Sequence, residues 1–273
     1  MMKQIPWIYS GAILLAALLT IAETRAEDGC DEACQAARKA QDPLSPIKGV
    51  LTDFTSAFGP KTWSNSTRAD NYQFQPVYSL ENLGGGEGNM ILRGIIPLNT
   101  IPPMGDRGRQ TGIGDTILQG FYVPPGQDSG FSIGYGPQIS MPTRSSKDFE
   151  GPGWGAGPVL VGFGGAGPLV YGGIVAHLWG QNGVSSSLLN PIVFYNWSLF
   201  GGSYIGYSNS ITYDWKASSG NRWNAPLGLT AGKAFVLDND SILDVNFGFY
   251  AVPARADTAG DRQFKWAVSW IIP

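Results

Sequence analysis

The sequence predicts an all-β fold, a transmembrane antiparallel up-and-down barrel of about twelve strands preceded by a short helix. Three observations predict it. First, apolar residues alternate with small or polar ones over segments near ten residues long. In Phe131 to Met141, for example, Phe131, Ile133, Tyr135, Pro137, Ile139 and Met141 alternate with Ser132, Gly134, Gly136, Gln138 and Ser140, the period of a strand. Second, such segments recur along the chain and are joined alternately by long and short connectors, the asymmetry of barrels that cross outer membranes. Third, only 14% of the chain is charged against about 25% in soluble domains, so much of the surface is expected to face something other than water.

At the N-terminus, the continuous apolar stretch Gly11 to Ala22 follows Lys3 and precedes Thr24-Arg25-Ala26, a small-x-small pattern. It reads as a signal peptide over residues 1–26. Its removal takes Lys3, Glu23 and Arg25 and moves the formal net charge of −3 one unit further negative. That mild acidity, without a cluster of Lys and Arg, excludes a nucleic-acid partner. Residues 27–46 are expected to form a short periplasmic helix and a linker. Asp31 can cap Asp31 to Ala40 at its acidic start, and Gln41 to Pro46 breaks the helix. Cys30 and Cys34 are the only cysteines. Two thiols and one distant histidine are too few for zinc, and C-x-x-x-C is not the redox spacing. One helical turn sets their Cα atoms roughly 6 to 7 Å apart, so in an oxidising compartment they could pair or remain thiols.

Residues 47–273 are expected to form the barrel. The first six segments are Gly49 to Phe58, Asn71 to Leu80, Asn89 to Leu98, Gly114 to Val123, Phe131 to Met141 and Gly153 to Phe163. The second six are Leu169 to Trp179, Leu188 to Trp197, Ser203 to Tyr213, Arg222 to Ala234, Ser241 to Ala251 and Arg262 to Ile272. A tilted strand of this length spans about 24 Å, the height of the apolar band of an outer membrane. Long connectors follow the odd segments and mostly short ones the even segments, and an even strand count places both termini on the short-turn, periplasmic side.

The last third assigns its faces. Leu243, Val245, Phe247 and Phe249 are expected to meet lipid, with Asp244, Asn246, Gly248 and Tyr250 in the lumen. Phe264, Trp266, Val268 and Trp270 face out, against Gln263, Lys265, Ala267 and Ser269 inside. Ile205, Tyr207, Ile211 and Tyr213 face out, against Ser208, Ser210, Thr212 and Asp214 inside. The fourth, sixth and seventh segments are apolar or glycine-rich on both faces, and their periodicity leaves orientation open. In the fourth, Ile117, Gln119 and Phe121 share one face. Aromatic residues mark two belts: Trp154, Trp179, Trp215 and Trp223 beside the long loops, and Tyr122, Phe163, Trp197 and Trp270 beside the short turns. A soluble barrel would turn its apolar face inward and need no such belts.

A series of motifs accompanies the strands: GIGD at Gly112 to Asp115, GYGPQISMPT at Gly134 to Thr143, GPGWGAGP at Gly151 to Pro158, HLWGQNG at His177 to Gly183, NPIVFYN at Asn190 to Asn196, SGNRWNAPLG at Ser219 to Gly228 and GKAF at Gly232 to Phe235. Over about Ala37 to Pro273 the chain resembles the outer-membrane proteins grouped as the MetA-pathway of phenol degradation family, often labelled transporter or neuromedin U. The resemblance implies an outer-membrane barrel that acts as a passive channel or transporter for small solutes, hydrophobic or aromatic ones among them. Ile271, Ile272 and Pro273 depart from the terminal aromatic residue common in such barrels.

The candidate lumen-lining residues are Arg93, Gln138, Asn190, Asp214, Asn224, Asp244, Asn246, Gln263 and Lys265, accompanied by Gln73, Gln75 and Asn196. They mix both charge signs with amides, which argues against a strongly ion-selective ring, and they could instead fill a closed structural barrel. No cofactor is expected, and the G-x-G patterns lack the helix that a phosphate site needs. His177, with Ser185, Ser186 and Ser187 nearby, carries the alternative of an outer-membrane lipid hydrolase, although the sequence offers no obvious acid to orient its ring. Asp115 is either a lumen residue or a turn residue bonded to nearby backbone, and Arg222 either pairs with Asp214 or is solvated. The expected partners are outer-membrane lipid, the outer-membrane assembly machinery and a small-molecule solute.

Overall fold

The computed structural model describes residues 30–59, 68–82, 88–103, 108–126, 130–149, 151–197 and 201–272. The leader expected over residues 1–26 lies outside them. After helix α1 (Glu32–Gln41) come β1 (Lys48–Phe58), β2 (Arg68–Leu80), β3 (Asn89–Ile101), β4 (Gln110–Ile113), β5 (Thr116–Val123), β6 (Phe131–Met141) and β7 (Gly155–Ala166). These are followed by β8 (Leu169–Gly180), β9 (Ser185–Trp197), β10 (Ser203–Ser208), β11 (Ile211–Asp214), β12 (Trp223–Val236), β13 (Ile242–Ala254) and β14 (Arg262–Ile272).

Every pairing is antiparallel, and β1 pairs with both β2 and β14, which closes the sheet. β4 and β5 are halves of one stave broken at Gly114 and Asp115, and β10 and β11 are halves of another broken at Asn209 and Ser210. The result is a closed barrel of twelve staves. Closure removes the exposed strand edges that an open sheet of this size would present.

Alternation along the staves sorts the side chains. Phe249 is 69% exposed on the outer surface while its neighbour Tyr250, on the inner face, is 3% exposed. Ile133, Tyr135 and Ile139 of β6 face out and Gln138 faces in. The staves whose periodicity is ambiguous are oriented by what fills the bore. Gln119 and Phe121 of β5, Val159, Val161 and Phe163 of β7, and Val170, Ile174 and Ala176 of β8 all point inward and are buried. They are apolar on both faces because the inner face packs against protein. Phe163 is therefore not part of the short-turn belt: it is 6% exposed and belongs to the inner cluster.

The protein that they pack against is the N-terminal segment. Asp31 accepts the Cys34 amide at 2.8 Å and caps α1, whose first turn carries Glu32 and last turn Arg38 and Lys39, as the helix dipole favours. Cys30 and Cys34 form a disulfide with Cα atoms 5.3 Å apart. The sequence places this helix ahead of the barrel; the structure places it within the bore at the short-turn end. Ala33 lies against Gly202, before β10, and Leu44 reaches β6 across the bore, so close that a Cβ at Gly134 would stand 2.5 Å from the Leu44 Cδ2. Ala36, Ala37, Leu44 and Ile47 form one buried cluster with Ile91, Phe121, Val159, Val161, Ile174, Ile192 and Phe194 of the wall.

The facing assignment is tested by charge. Phe247→Lys, on the outer surface near the middle of β13, is expected to cost about 2 to 4 kcal/mol in a bilayer, and Asn246→Lys, facing the bore, much less. Chemical unfolding of the two variants in lipid measures the difference, and equal losses would contradict the assignment.

Candidate functional site: a two-chamber lumen above a helical plug

Two cavities lie along the bore. The outer one, a vestibule of about 1120 Å³, is reached from the long-loop end and is lined mainly by polar residues. The inner one, about 160 Å³, is floored by Ala40, Gln41, Asp42, Pro43 and Ile47 of the plug segment. Asp53, Gln75, Arg93, Asn190 and Lys265 line both cavities, so this ring marks the level at which the two meet.

Two bases and one acid meet at that level, and Arg93 is held by an amide rather than by a carboxylate. Lys265 Nζ lies 2.6 Å from Asp53 Oδ2, and Thr55 Oγ1 donates to the other Asp53 oxygen at 3.2 Å. The Arg93 guanidinium donates to Gln75 Oε1 through Nε, at 3.1 Å, and through Nη2. Gln75 continues a row of amides up the wall: its Nε2 donates to Gln73 Oε1 at 2.7 Å, Gln73 Nε2 to Asn71 Oδ1 at 3.0 Å, and Asn71 Nδ2 to Asn99 Oδ1 at 2.7 Å.

The inner chamber has two unlike walls. From β2 to β9 it presents Val77, Ile91, Phe121, Ile174, Ile192 and Phe194. From β10 round to β1 it presents Tyr204, Asp244, Asn246, Lys265 and Ser269, with Leu51 and Ala267 between them. Tyr204 donates its hydroxyl to both Asp244 oxygens at 2.8 Å, and Asn246 Nδ2 donates to Oδ2 at 3.3 Å. Beneath them Gln41 and Asn196 exchange two hydrogen bonds, of 2.9 and 3.2 Å, which latch the end of α1 to β9.

The vestibule is narrowed from one side by the loop between β6 and β7. Asp115, at the break between β4 and β5, accepts the Gly153 amide at 2.7 Å and faces Arg144 Nε at 3.6 Å. Ser145 Oγ accepts the Ile113 amide at 3.1 Å. These ties bring Lys147, Asp148 and Phe149 to the vestibule wall. Asp115 thus anchors a loop and does not line the lumen.

Of the candidate residues, Arg93, Asn190, Asn224, Asp244, Asn246, Gln263 and Lys265 line one or both cavities. Gln138 points inward but serves the wall. Pro158 of β7 stands opposite His177 of β8 in a stretch where the ladder is interrupted, and it has no N–H to offer; Gln138 Nε2 donates to the His177 carbonyl at 3.0 Å instead. Asp214 is a correction: its side chain accepts the amides of Lys216 and Ala217 and shapes the exposed turn after β11. Arg222 does not pair with it, and donates to the Ala217 carbonyl and the Tyr213 hydroxyl.

Sequence reasoning missed Asp53, Asn71, Asn99, Tyr204 and the plug residues Gln41 and Asp42. The alternation of β1 places Asp53 in phase with Thr55 and opposite to Phe54, a signal that was readable. The docking of the plug left no local signal.

His177 sits on the outer face of β8 beside the rim. Its Nδ1 is 2.8 Å from Ser187 Oγ and its Nε2 3.3 Å from Ser185 Oγ, while Trp215 Nε1 donates to Ser187 Oγ at 2.9 Å. Trp179 packs on the ring at 4.3 Å. Among the described residues its hydrogen-bonding partners are hydroxyls, and no carboxylate orients the ring.

No protein-family profile matches the chain, and no curated protein has a matching sequence. Among solved structures, the COG4313 outer membrane channel from Pseudomonas putida F1 is similar, with a TM-score of 0.59 and 12% identity over 85% of this chain and 98% of that one. The outer membrane phospholipase A of Escherichia coli matches more loosely, with a TM-score of 0.46 and 10% identity over 87% and 98% of the two chains. The first likeness establishes the barrel fold.

Burial raises the Asp42 carboxyl to about 6, offset in part by the Leu44 and Ser45 amides. A group whose pKa is raised on docking takes up a proton as the plug seats, so seating strengthens as pH falls from about 6 toward 4. Amide hydrogen exchange in residues 30–46 is therefore expected to be slower at pH 5 than at pH 7.5, after correction for intrinsic rates. Asp42→Asn is expected to diminish that difference, and an unchanged pH dependence in the variant would contradict the assignment.

Proposed function

We propose that the chain is a passive channel of the bacterial outer membrane for small solutes, with both termini in the periplasm and residues 30–47 as its gate. The observation that carries this reading is the pair of cavities that share one polar ring of residues, the inner one floored by a docked segment of the same chain. The outer surface supports the membrane setting. Phe247, Phe249, Leu227 and Leu229 stand exposed on the staves, a band that water would penalise and hydrocarbon accepts. Trp154, Trp179, Trp215 and Trp223 are exposed near the long-loop end, and Trp197 and Trp270 near the short turns, as interfacial belts require. The orientation is supported by the short turns lying at the same end of the barrel as residues 30 and 272, between which the described chain runs. The similar structure from Pseudomonas putida F1 is that of an outer membrane channel, and this likeness of fold supports transport. In this reading lipid surrounds the wall and the outer-membrane assembly machinery inserts it.

The His177 cluster favours the non-enzymatic reading. Ser187 already accepts the Trp215 indole and Ser185 is engaged on the other ring nitrogen, so the cluster is satisfied as a rim structure. Neither the native chain nor His177→Ala is expected to hydrolyse phospholipid in mixed micelles; turnover that His177→Ala abolishes would establish the hydrolase.

Gating is tested at the amide latch. Gln41→Cys and Asn196→Cys, joined by a short cleavable bifunctional thiol reagent, are expected to suppress solute uptake in liposome swelling, and cleavage of the reagent to restore it. Uptake unaffected by cross-linking would remove the plug as gate. Absence of uptake in every form would leave a closed structural barrel.

A further inference from the structure

Resting on the channel reading, we infer that the amide row Asn99, Asn71, Gln73, Gln75 is a hydrogen-bonding track for small uncharged polyhydroxylated solutes, of monosaccharide size, descending to Arg93 at the ring between the chambers.

The row is built by strand geometry. Asn71, Gln73 and Gln75 occupy alternate positions of β2, so all three point into the bore, spaced about 7 Å apart, and Asn99 of β3 pairs directly with Asn71. Each link consumes one N–H of the donor amide and one lone pair of the acceptor oxygen. A primary amide carries two N–H groups and two lone pairs. Gln73 and Asn71, which each give one bond and receive one, therefore keep a donor and an acceptor for a third party. A donor and an acceptor on one planar group match neighbouring hydroxyls of a polyol, each of which gives and takes one hydrogen bond. The same chemistry recurs where Asn209 Nδ2 donates to Gln263 Oε1 at 3.2 Å across the vestibule lining.

Charge argues for neutral solutes. Among the described residues the vestibule is lined by three acids, Asp53, Asp70 and Asp148, and three bases, Arg93, Lys147 and Lys265. The two signs cancel over the vestibule as a whole; at the ring Asp53 engages Lys265, and Arg93, held by the neutral Gln75, is one positive charge in excess. An ion entering the vestibule gives up hydration without meeting a net charge of opposite sign over the lining as a whole, and only an anion that descends to the ring meets the excess charge of Arg93. An uncharged polyol exchanges water hydrogen bonds for amide hydrogen bonds one for one. An apolar ring gains little, since the row offers polar edges. The vestibule, at about 1120 Å³, exceeds the range of ordinary small-ligand sites, so size does not exclude such a solute.

The test separates binding from transport. Calorimetric titration of the purified full chain in detergent with D-glucose, D-glucuronate, D-glucosamine and cyclohexanol is expected to give the tightest binding to glucose, by at least tenfold over the other three. Gln73→Leu, close in volume but without the amide, is expected to weaken glucose binding at least tenfold, and Gln73→Asn to weaken it less. Thermal melting of each variant identifies loss of fold, and Asn71→Leu provides an independent break in the row. Equal binding of the four probes, or glucose binding unchanged in folded Gln73→Leu and Asn71→Leu proteins, would overturn the track. Liposome swelling with the same probes tests the channel separately. Selective binding without swelling would retain the track and remove the channel reading, whereas swelling without selective binding would do the reverse.

Discussion

The rest of the structure depends on the packing of residues 36–47 against the inner wall of β5 to β9. A barrel whose inner surface carries Phe121, Val159, Val161, Ile174, Ile192 and Phe194 cannot leave that surface to water without penalty. Leu44 and Ile47 cover it, each worth roughly 1.5 to 3 kcal/mol on full burial. Ala36 and Ala37, with no side chain beyond Cβ, let the helix lie close to the wall. Apolar contact alone would allow the segment to slide. The reciprocal bonds of Gln41 and Asn196 specify its position, because a buried amide moved out of register loses about 1 to 3 kcal/mol. The plug is thus both the core of the molecule and the floor of its lumen.

The wall obeys a second constraint. A strand that crosses hydrocarbon must satisfy its own backbone, yet this barrel carries proline and strand interruptions inside its staves. Local repairs meet the need. Opposite Pro158 the His177 carbonyl takes its hydrogen bond from Gln138, and this reach over β7 is open because residue 157 is glycine, where a Cβ would fall 1.7 Å from the same carbonyl oxygen. At the break between β4 and β5, Gly114 donates to the Pro97 carbonyl at 2.9 Å and Asp115 becomes free to hold the loop after β6. At the other break Asn209 turns into the vestibule and bonds Gln263. Irregularity in the wall is therefore what shapes the lumen.

Polarity inside the bore is graded along its axis. The vestibule is rich in amides and balanced in charge, the ring sets Asp53 on Lys265 and an amide on Arg93, and below the ring the inner chamber sets a mainly apolar wall against a mainly polar one. The small chamber volume of about 160 Å³ follows from the plug that occupies the space below. Movement of residues 30–47 would join this chamber to the short-turn end, while the Cys30–Cys34 disulfide keeps the first turn of the segment compact.

Much of this was legible in the residues. Period-two alternation, connector lengths and the scarcity of charge determined the barrel, its strand count and the faces of β6, β13 and β14, because a side chain on a pleated strand has only two directions in which to point. The Asp31 cap and the breaker expected over Gln41 to Pro46 determined the helix to within a residue, since both act within one or two turns, and Gln41 closes its last turn instead of ending it. Tertiary structure alone decided where that helix lies, and with it why Val159, Val161 and Phe163 look inward, why Gln138 mends a neighbouring strand and why Asp214 serves a turn. Those outcomes depend on contacts between residues far apart in the chain, such as Gln41 with Asn196, and alternation along one strand carries no record of what fills the space it encloses.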